Sequence, residues 1–153
     1  MDEAGQKRRL RRRALRQRQQ IDAADAATSA AQIADRVLAH PAWEQALTVH
    51  TYVSSLPGEV DTHRLIDHAL EQSKRVVVPV VVGLGQPLRH AEIAGLDELA
   101  PARWNLLQPS EPRFVDAADT GLVLVPGVLF DVHGYRVGHG GGFYDRFLLG
   151  LAD

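Results

Sequence analysis

The chain contains no cysteine. A disulfide scaffold, a thiolate zinc site and a cysteine nucleophile are therefore excluded, and the composition suits a reducing compartment. No apolar run approaches the roughly 20 residues needed to cross a bilayer. The first residues lack the apolar core of a secretory signal. A soluble, cytoplasmic, monomeric protein with no membrane partner is the expectation. Internal repeats are absent, and no glycine-rich loop is closed by Gly-Lys-Ser/Thr, which rules out a Walker A motif. Residues 7–18 contain no acid at all.

What is present is ordinary in bulk and uneven in place. The 153 residues suffice for one domain with a real core, and a single domain over 1–153 is expected. Hydrophobic residues make up 45% and charged residues 24%, values usual for a soluble globular chain. The net charge of −2 conceals a split. Lys7, Arg8, Arg9, Arg11, Arg12, Arg13, Arg16 and Arg18 supply eight of the 17 basic residues, so the remainder is strongly acidic. An anionic partner should be met near this basic segment.

Residues 7–20 lack Pro and Gly and are rich in helix formers, but Leu10, Ala14 and Ile21 give only a thin apolar stripe. The spacing of Ala30, Ile33, Ala34, Val37 and Leu38 predicts a second helix over 22–39, with Pro41 just past its end. Residues 47–53 read as a strand, followed by the turn Leu56-Pro57-Gly58-Glu59. A third helix is predicted over 61–72, with Asp61 or Thr62 as N-cap. Residues 75–82 have a buried-strand pattern, in which Pro79 suits an edge, a bulge or a strand end. Residues 83–118 read as irregular, with a short strand near 88–93. The apolar run 121–130 reads as one strand covered on both faces. This alternation points to an α/β fold with a largely parallel sheet.

Near the end lies RVGHGGGFYDRFL, residues 136–148. Asp131 to Gly134 reads as a turn leading into it. Gly138, Gly140, Gly141 and Gly142 lack Cβ atoms, so a ligand could approach the backbone closely. Phe143 to Leu148 reads as a helix start, and a glycine loop feeding a helix N-terminus is an anion site. Arg136 adds a forked phosphate donor. Asp145 offers a hard oxygen to Mg²⁺, or a favourable charge to the helix N-terminus. On these residues alone, phosphate binding and a flexible turn packing Phe143 and Phe147 onto the core both remain open.

Four segments together narrow the choice. PGVLFDVHGYRVGHGGGFYDRFL, YVSSLPGEVDTHRLI, KRRLRRR and WNLLQP resemble, in order and spacing, the 5-formyltetrahydrofolate cyclo-ligases, also called methenyltetrahydrofolate synthetases. The resemblance spans nearly the whole chain. It implies a three-layer, Rossmann-like fold of the cyclo-ligase type. It also implies conversion of 5-formyltetrahydrofolate and ATP to 5,10-methenyltetrahydrofolate, ADP and phosphate, with Mg²⁺. Phosphorylation of the formyl oxygen turns a poor leaving group into a good one, N10 closes the ring, and phosphate departs. Phosphoryl transfer needs mostly positioning and charge stabilisation, which a cationic glycine-rich site can give.

Carried onto this sequence, the resemblance assigns Lys7, Arg8, Arg9, Leu10 and Arg11 to ATP, with Lys7 and Arg11 sharing a helix face. Arg136, Val137, Gly138, His139, Gly140, Gly141, Gly142, Phe143 and Tyr144 would wrap the nucleotide, with Arg136 and Tyr144 as catalytic residues. Ser54 and Glu59 would bind the folate, bordered by His139 to Phe143. A carboxylate such as Glu59 can accept from the N–H-rich pterin. Asp145 would hold Mg²⁺. His139 stands where the family usually has an aromatic or basic residue, and Phe143 replaces a frequent tyrosine. Family members usually continue for several tens of residues past the Tyr-Asp pair and carry a second acidic metal residue there. Asp153 lies too close to Asp145 to be taken for it. The chain is thus expected to lack the usual C-terminal segment, and a truncated, catalytically weak or inactive nucleotide- or folate-binding protein of the same fold is the alternative. Arg12, Arg13, Arg16 and Arg18 read as solvated, Trp104 as packing, and His63 and His68 as surface residues. Nucleic acid is not an expected partner, since no aromatic platform accompanies the basic run.

Overall fold

A computed structural model describes residues 2–151 of the chain; Asp153 lies outside them. Helix α1 runs Glu3–Gln19 and α2 runs Ala23–Leu38. Each starts at an aspartate whose carboxylate accepts a backbone N–H, Asp2 from Gly5 at 2.9 Å and Asp22 from Ala24 at 2.8 Å. Pro41 both follows α2 and opens a short helix α3, Pro41–Gln45, a position its fixed φ favours. Strand β1, Thr48–Thr51, leads through a loop to α4, His63–Glu71, and then to β2, Arg75–Val80. Thr62 occupies the N-cap of α4 without capping it; its hydroxyl donates instead to the Tyr52 carbonyl at 2.8 Å.

The short strand expected near 88–93 is present as β3 (Arg89–Ile93), but the rest of 83–118 is not irregular throughout: it also forms β4 (Leu99–Pro101), β5 (Leu107–Pro109) and β6 (Arg113–Phe114). Strand β7 covers Leu122–Leu124, β8 Leu129–Phe130 and β9 Arg136–Val137, before α5 at Phe143–Leu151. The main sheet has the order β6-β3-β2-β1-β7. Strand β1 is parallel to β2 and β7, whereas β3 is antiparallel to both β2 and β6. The sheet is therefore mixed, not largely parallel. The link from β2 to β3 carries no crossover helix, and without one a neighbouring strand pairs antiparallel.

The run 121–130 is likewise not one doubly covered strand. Pro126 and Gly127 interrupt it, β7 is a half-buried edge strand, and β8 turns away to pair with β9. Pro79 lies inside β2 and pairs with His90 of β3, so it is neither at an edge nor at the strand's end; the ladder from β1 covers only Arg75 to Val77, and the ring lies beyond it.

Side-chain alternation gives the sheet two unlike faces. Val49, Val76, Val78 and Ile93 pack against Ala34 of α2, Trp43 of α3 and Leu65, Ile66 and Ala69 of α4. His50 and His90 lie on the other face, covered by Phe147 of α5 at ring separations of 4.6 and 4.4 Å. Helices thus cover both faces, which gives three layers.

Candidate active site

A cleft of about 340 Å³ opens past the carboxyl ends of β1, β2 and β7, where open α/β sheets commonly take ligands. One wall is the loop between β9 and α5. Gly140 has φ +107°, a conformation only glycine adopts without strain, and a Cβ there would already be in van der Waals contact with the Arg11 guanidinium. Arg11 reaches from α1 to this wall, its Nε donating to the Gly138 carbonyl at 2.6 Å. Arg136 lines the cleft base; Nη1 donates to the Pro126 carbonyl at 2.9 Å, and Nη2 pairs with Asp145.

The facing wall is the loop after β1. The Glu59 side chain is only 10% exposed. Its Oε2 accepts the N–H groups of Ser55 at 2.9 Å and Leu56 at 3.0 Å, while Oε1 faces His139 Nε2 at 3.9 Å. Burial lowers the His139 pKa, Glu59 raises it, and Arg18 and Arg11 lower it further. Tyr52 closes the floor with its hydroxyl on the Val60 carbonyl at 2.9 Å. Burial, helped by Glu59, pushes the Tyr52 phenol up to about 12.

Tyr144 sits at the cleft base, 8% exposed, and its hydroxyl finds no partner among the described residues. Burial drives its pKa upward, so it is a phenol at any working pH. Behind it stands His50, fully buried, with Nε2 3.0 Å from His90 Nδ1 and its own Nδ1 without a partner among the described residues. Burial, reinforced by His90, pushes His50 down to about 3, and burial lowers His90 as well.

Of the residues expected here, Arg11, Glu59, Arg136, Gly138 to Tyr144 and Asp145 come together around one cleft. Others do not reach it. Lys7 turns back to Glu3 at 2.8 Å, although the Asp145 charge still acts on it. Arg8, Arg9 and Leu10 are exposed on α1 away from the cleft lining. Ser54 is absorbed in bracing its loop: its hydroxyl donates to Asp61 at 3.1 Å and accepts from Thr62 N–H at 3.0 Å. Val137 pairs with Leu129 in the hairpin. His63 and His68 are half-buried rather than free on the surface; His63 Nε2 meets the Ser54 carbonyl at 3.0 Å.

Two residues overturn their reading. Arg18 is not simply solvated: its guanidinium grips the Gly58 carbonyl, with Nε at 2.7 Å, and reaches the Gly127 carbonyl at 3.4 Å. The spacing of Lys7, Arg11 and Arg18 on one helical face was the available signal. Trp104 is not packed away inside the protein either. It is 47% exposed, lines the cleft, and holds a left-handed backbone at φ 56°. A bulky residue at that φ costs free energy, and such strain clusters at ligand sites.

The donor set bears on Mg²⁺. Among the described residues no group of three His, Asp or Glu side chains could hold a metal. Asp145 is 76% exposed, and with one oxygen on Arg136 it keeps the other free. That fits a cation arriving on nucleotide phosphates, which needs few protein ligands, and not a site made by protein alone. No described helix is long and apolar enough to cross a membrane.

Comparison with known proteins shows the family and the fold. The chain is 32% identical to a probable 5-formyltetrahydrofolate cyclo-ligase of Schizosaccharomyces pombe, over 76% of this chain and 58% of that protein. It is 34% identical to the 5-formyltetrahydrofolate cyclo-ligase of Escherichia coli K12, over 92% of this chain and 75% of that one. The solution structure of Aquifex aeolicus 5,10-methenyltetrahydrofolate synthetase superposes with a TM-score of 0.80 at 27% identity, covering 94% of this chain and 72% of that one. The chain spans 58% of the length of the fission yeast and Caenorhabditis elegans relatives it matches. The pattern of the 5-formyltetrahydrofolate cyclo-ligase family matches residues 3–153, and the chain belongs to that family.

Proposed function

We propose that the chain catalyses the ATP- and Mg²⁺-dependent conversion of 5-formyltetrahydrofolate to 5,10-methenyltetrahydrofolate, releasing ADP and phosphate. The observation that carries this is convergence: Arg11, Arg136 and the glycine loop share one cleft with Glu59, Trp104 and Tyr144. One wall is cationic and rich in backbone N–H, and the other offers a shielded carboxylate and an indole face. A polyphosphate suits the first and an N–H-bearing aromatic suits the second.

The glycine loop would wrap the phosphates, with Arg11 fixing its shape through Gly138. Arg136 would stabilise charge on the transferring phosphoryl group. It is fixed at Pro126, so little reorganisation is needed. Asp145 and the phosphate oxygens would hold Mg²⁺, which supplies charge neutralisation when bound. Glu59 would orient the pterin through its free oxygen, with Trp104 stacking on the ring. The unpartnered Tyr144 hydroxyl would donate to an oxygen of the bound reactants, gaining the bond it lacks. Together these groups hold the formyl oxygen and the terminal phosphate in contact and exclude water.

The test is spectroscopic formation of methenyltetrahydrofolate with ATP and Mg²⁺ by folded protein. Product formation supports the proposal, and folded protein that makes none sinks it. The lone carboxylate available to a cation favours a second reading, binding without turnover, which that null result combined with measurable ATP or folate binding would support.

A further inference from the structure

Glu59 and His139 face each other across the cleft from different walls. The two backbone bonds to Glu59 Oε2 fix that carboxylate and leave Oε1 as its available acceptor. His139 Nε2 lies 3.9 Å away, about 1 Å beyond hydrogen-bond distance. The imidazole is carried on a loop tethered by Arg11 at Gly138, with the left-handed Gly140 directly after it. A small movement there closes the gap. Other charges facing the imidazole are Arg11 and Arg18, both on α1 and both opposing its protonation.

We propose that His139 is a positioning residue that competes with the folate for Glu59: charged, it bridges the cleft and occupies Oε1, and neutral, it leaves Oε1 to the ligand. This rests on the reading of Glu59 as the folate acceptor. Burial keeps His139 below its ordinary range, so the cleft stands open at neutral pH and latches in acid. Each protonation state binds a different partner, so folate affinity and imidazole charge are linked.

The experiment is equilibrium titration of 5-formyltetrahydrofolate into wild type, His139→Gln and Glu59→Gln at pH 7.5 and 5.5, with the thermal unfolding midpoint and far-ultraviolet circular dichroism of each variant measured in parallel as a check of the fold. Wild type should bind folate up to about fivefold more weakly at the lower pH, the scale of a half-exposed ion pair. His139→Gln should lose that difference. By NMR, the His139 imidazole should titrate at lower pH in Glu59→Gln than in wild type, because the raising charge is gone. A pH difference that persists in His139→Gln, or a His139 titration unmoved by Glu59→Gln, overturns the latch alone. Glu59→Gln binding folate as tightly as wild type at pH 7.5 overturns the folate reading, and the latch with it.

Discussion

The two faces of the central sheet are built for different ends. Toward α2, α3 and α4 the sheet presents Val49, Val76, Val78 and Ile93, aliphatic and closed. Toward α5 it presents His50 and His90 under Phe147, with Tyr144 leading from that layer to the cleft. The first face gains from burial alone. The second buries polar rings and leaves His50 Nδ1 and the Tyr144 hydroxyl unpartnered, a cost that burial without function does not explain. Stability and chemistry are thereby separated by the thickness of one sheet, although β1 contributes to both.

Substitutions can break or sharpen that separation. The largest effect should come from Ile66→Ala. Ile66 is fully buried on the aliphatic side, and its truncation should cost about 2–5 kcal/mol by chemical denaturation. ATP affinity of the remaining folded protein should not change, and a parallel loss would mean the faces are coupled. Next, Arg136→Ala should raise the ATP KM on the order of 10- to 100-fold, the worth of a charged hydrogen bond. Unchanged ATP kinetics would remove Arg136 from the site.

A third effect is pH dependence confined to the imidazole face. His50 titrates at about 3 when folded and near 6.5 when unfolded, so between those values the unfolded chain binds more protons. Stability is full above 6.5 and falls as the pH drops, by at most about 1.4 kcal/mol per pH unit from this group. Denaturation midpoints at pH 7.5 and 5.5 should show the loss, and His50→Phe should reduce it; an equal slope in that variant would place its origin elsewhere. The smallest effect should be Trp104→Gly, which relieves the left-handed backbone and adds about 1 kcal/mol of stability while weakening folate binding. A variant that is less stable yet binds folate normally would return Trp104 to a packing role.

Much of this was legible in the chain. Helix positions followed from apolar spacing and from Asp22 and Pro41, and the glycine loop announced itself through four glycines beside Arg136 and Asp145. Pairing direction was not legible, because apolar runs such as 75–82 do not say whether the next strand runs beside them or back along them. The run 121–130 misled because its continuous apolarity outweighed the Pro126-Gly127 break. Arg18 and Ser54 exchanged importance for a geometric reason. Long guanidinium side chains reach carbonyls far away in sequence, and a serine near a helix start is easily satisfied by its neighbours. Trp104 could not be read, since a left-handed φ at tryptophan leaves no mark in composition.

Helix α1 buries little beyond Ala14 and is fastened to the body chiefly by the Arg11 and Arg18 contacts to the carbonyls of Gly138, Gly58 and Gly127. A helix clipped at its side chains and not glued by a core can detach without the rest of the molecule unfolding. Its amides should therefore exchange with solvent deuterium far faster than those of β2. Nucleotide seated against Arg11 should slow them, making the N-terminal helix the part of the protein that registers occupancy.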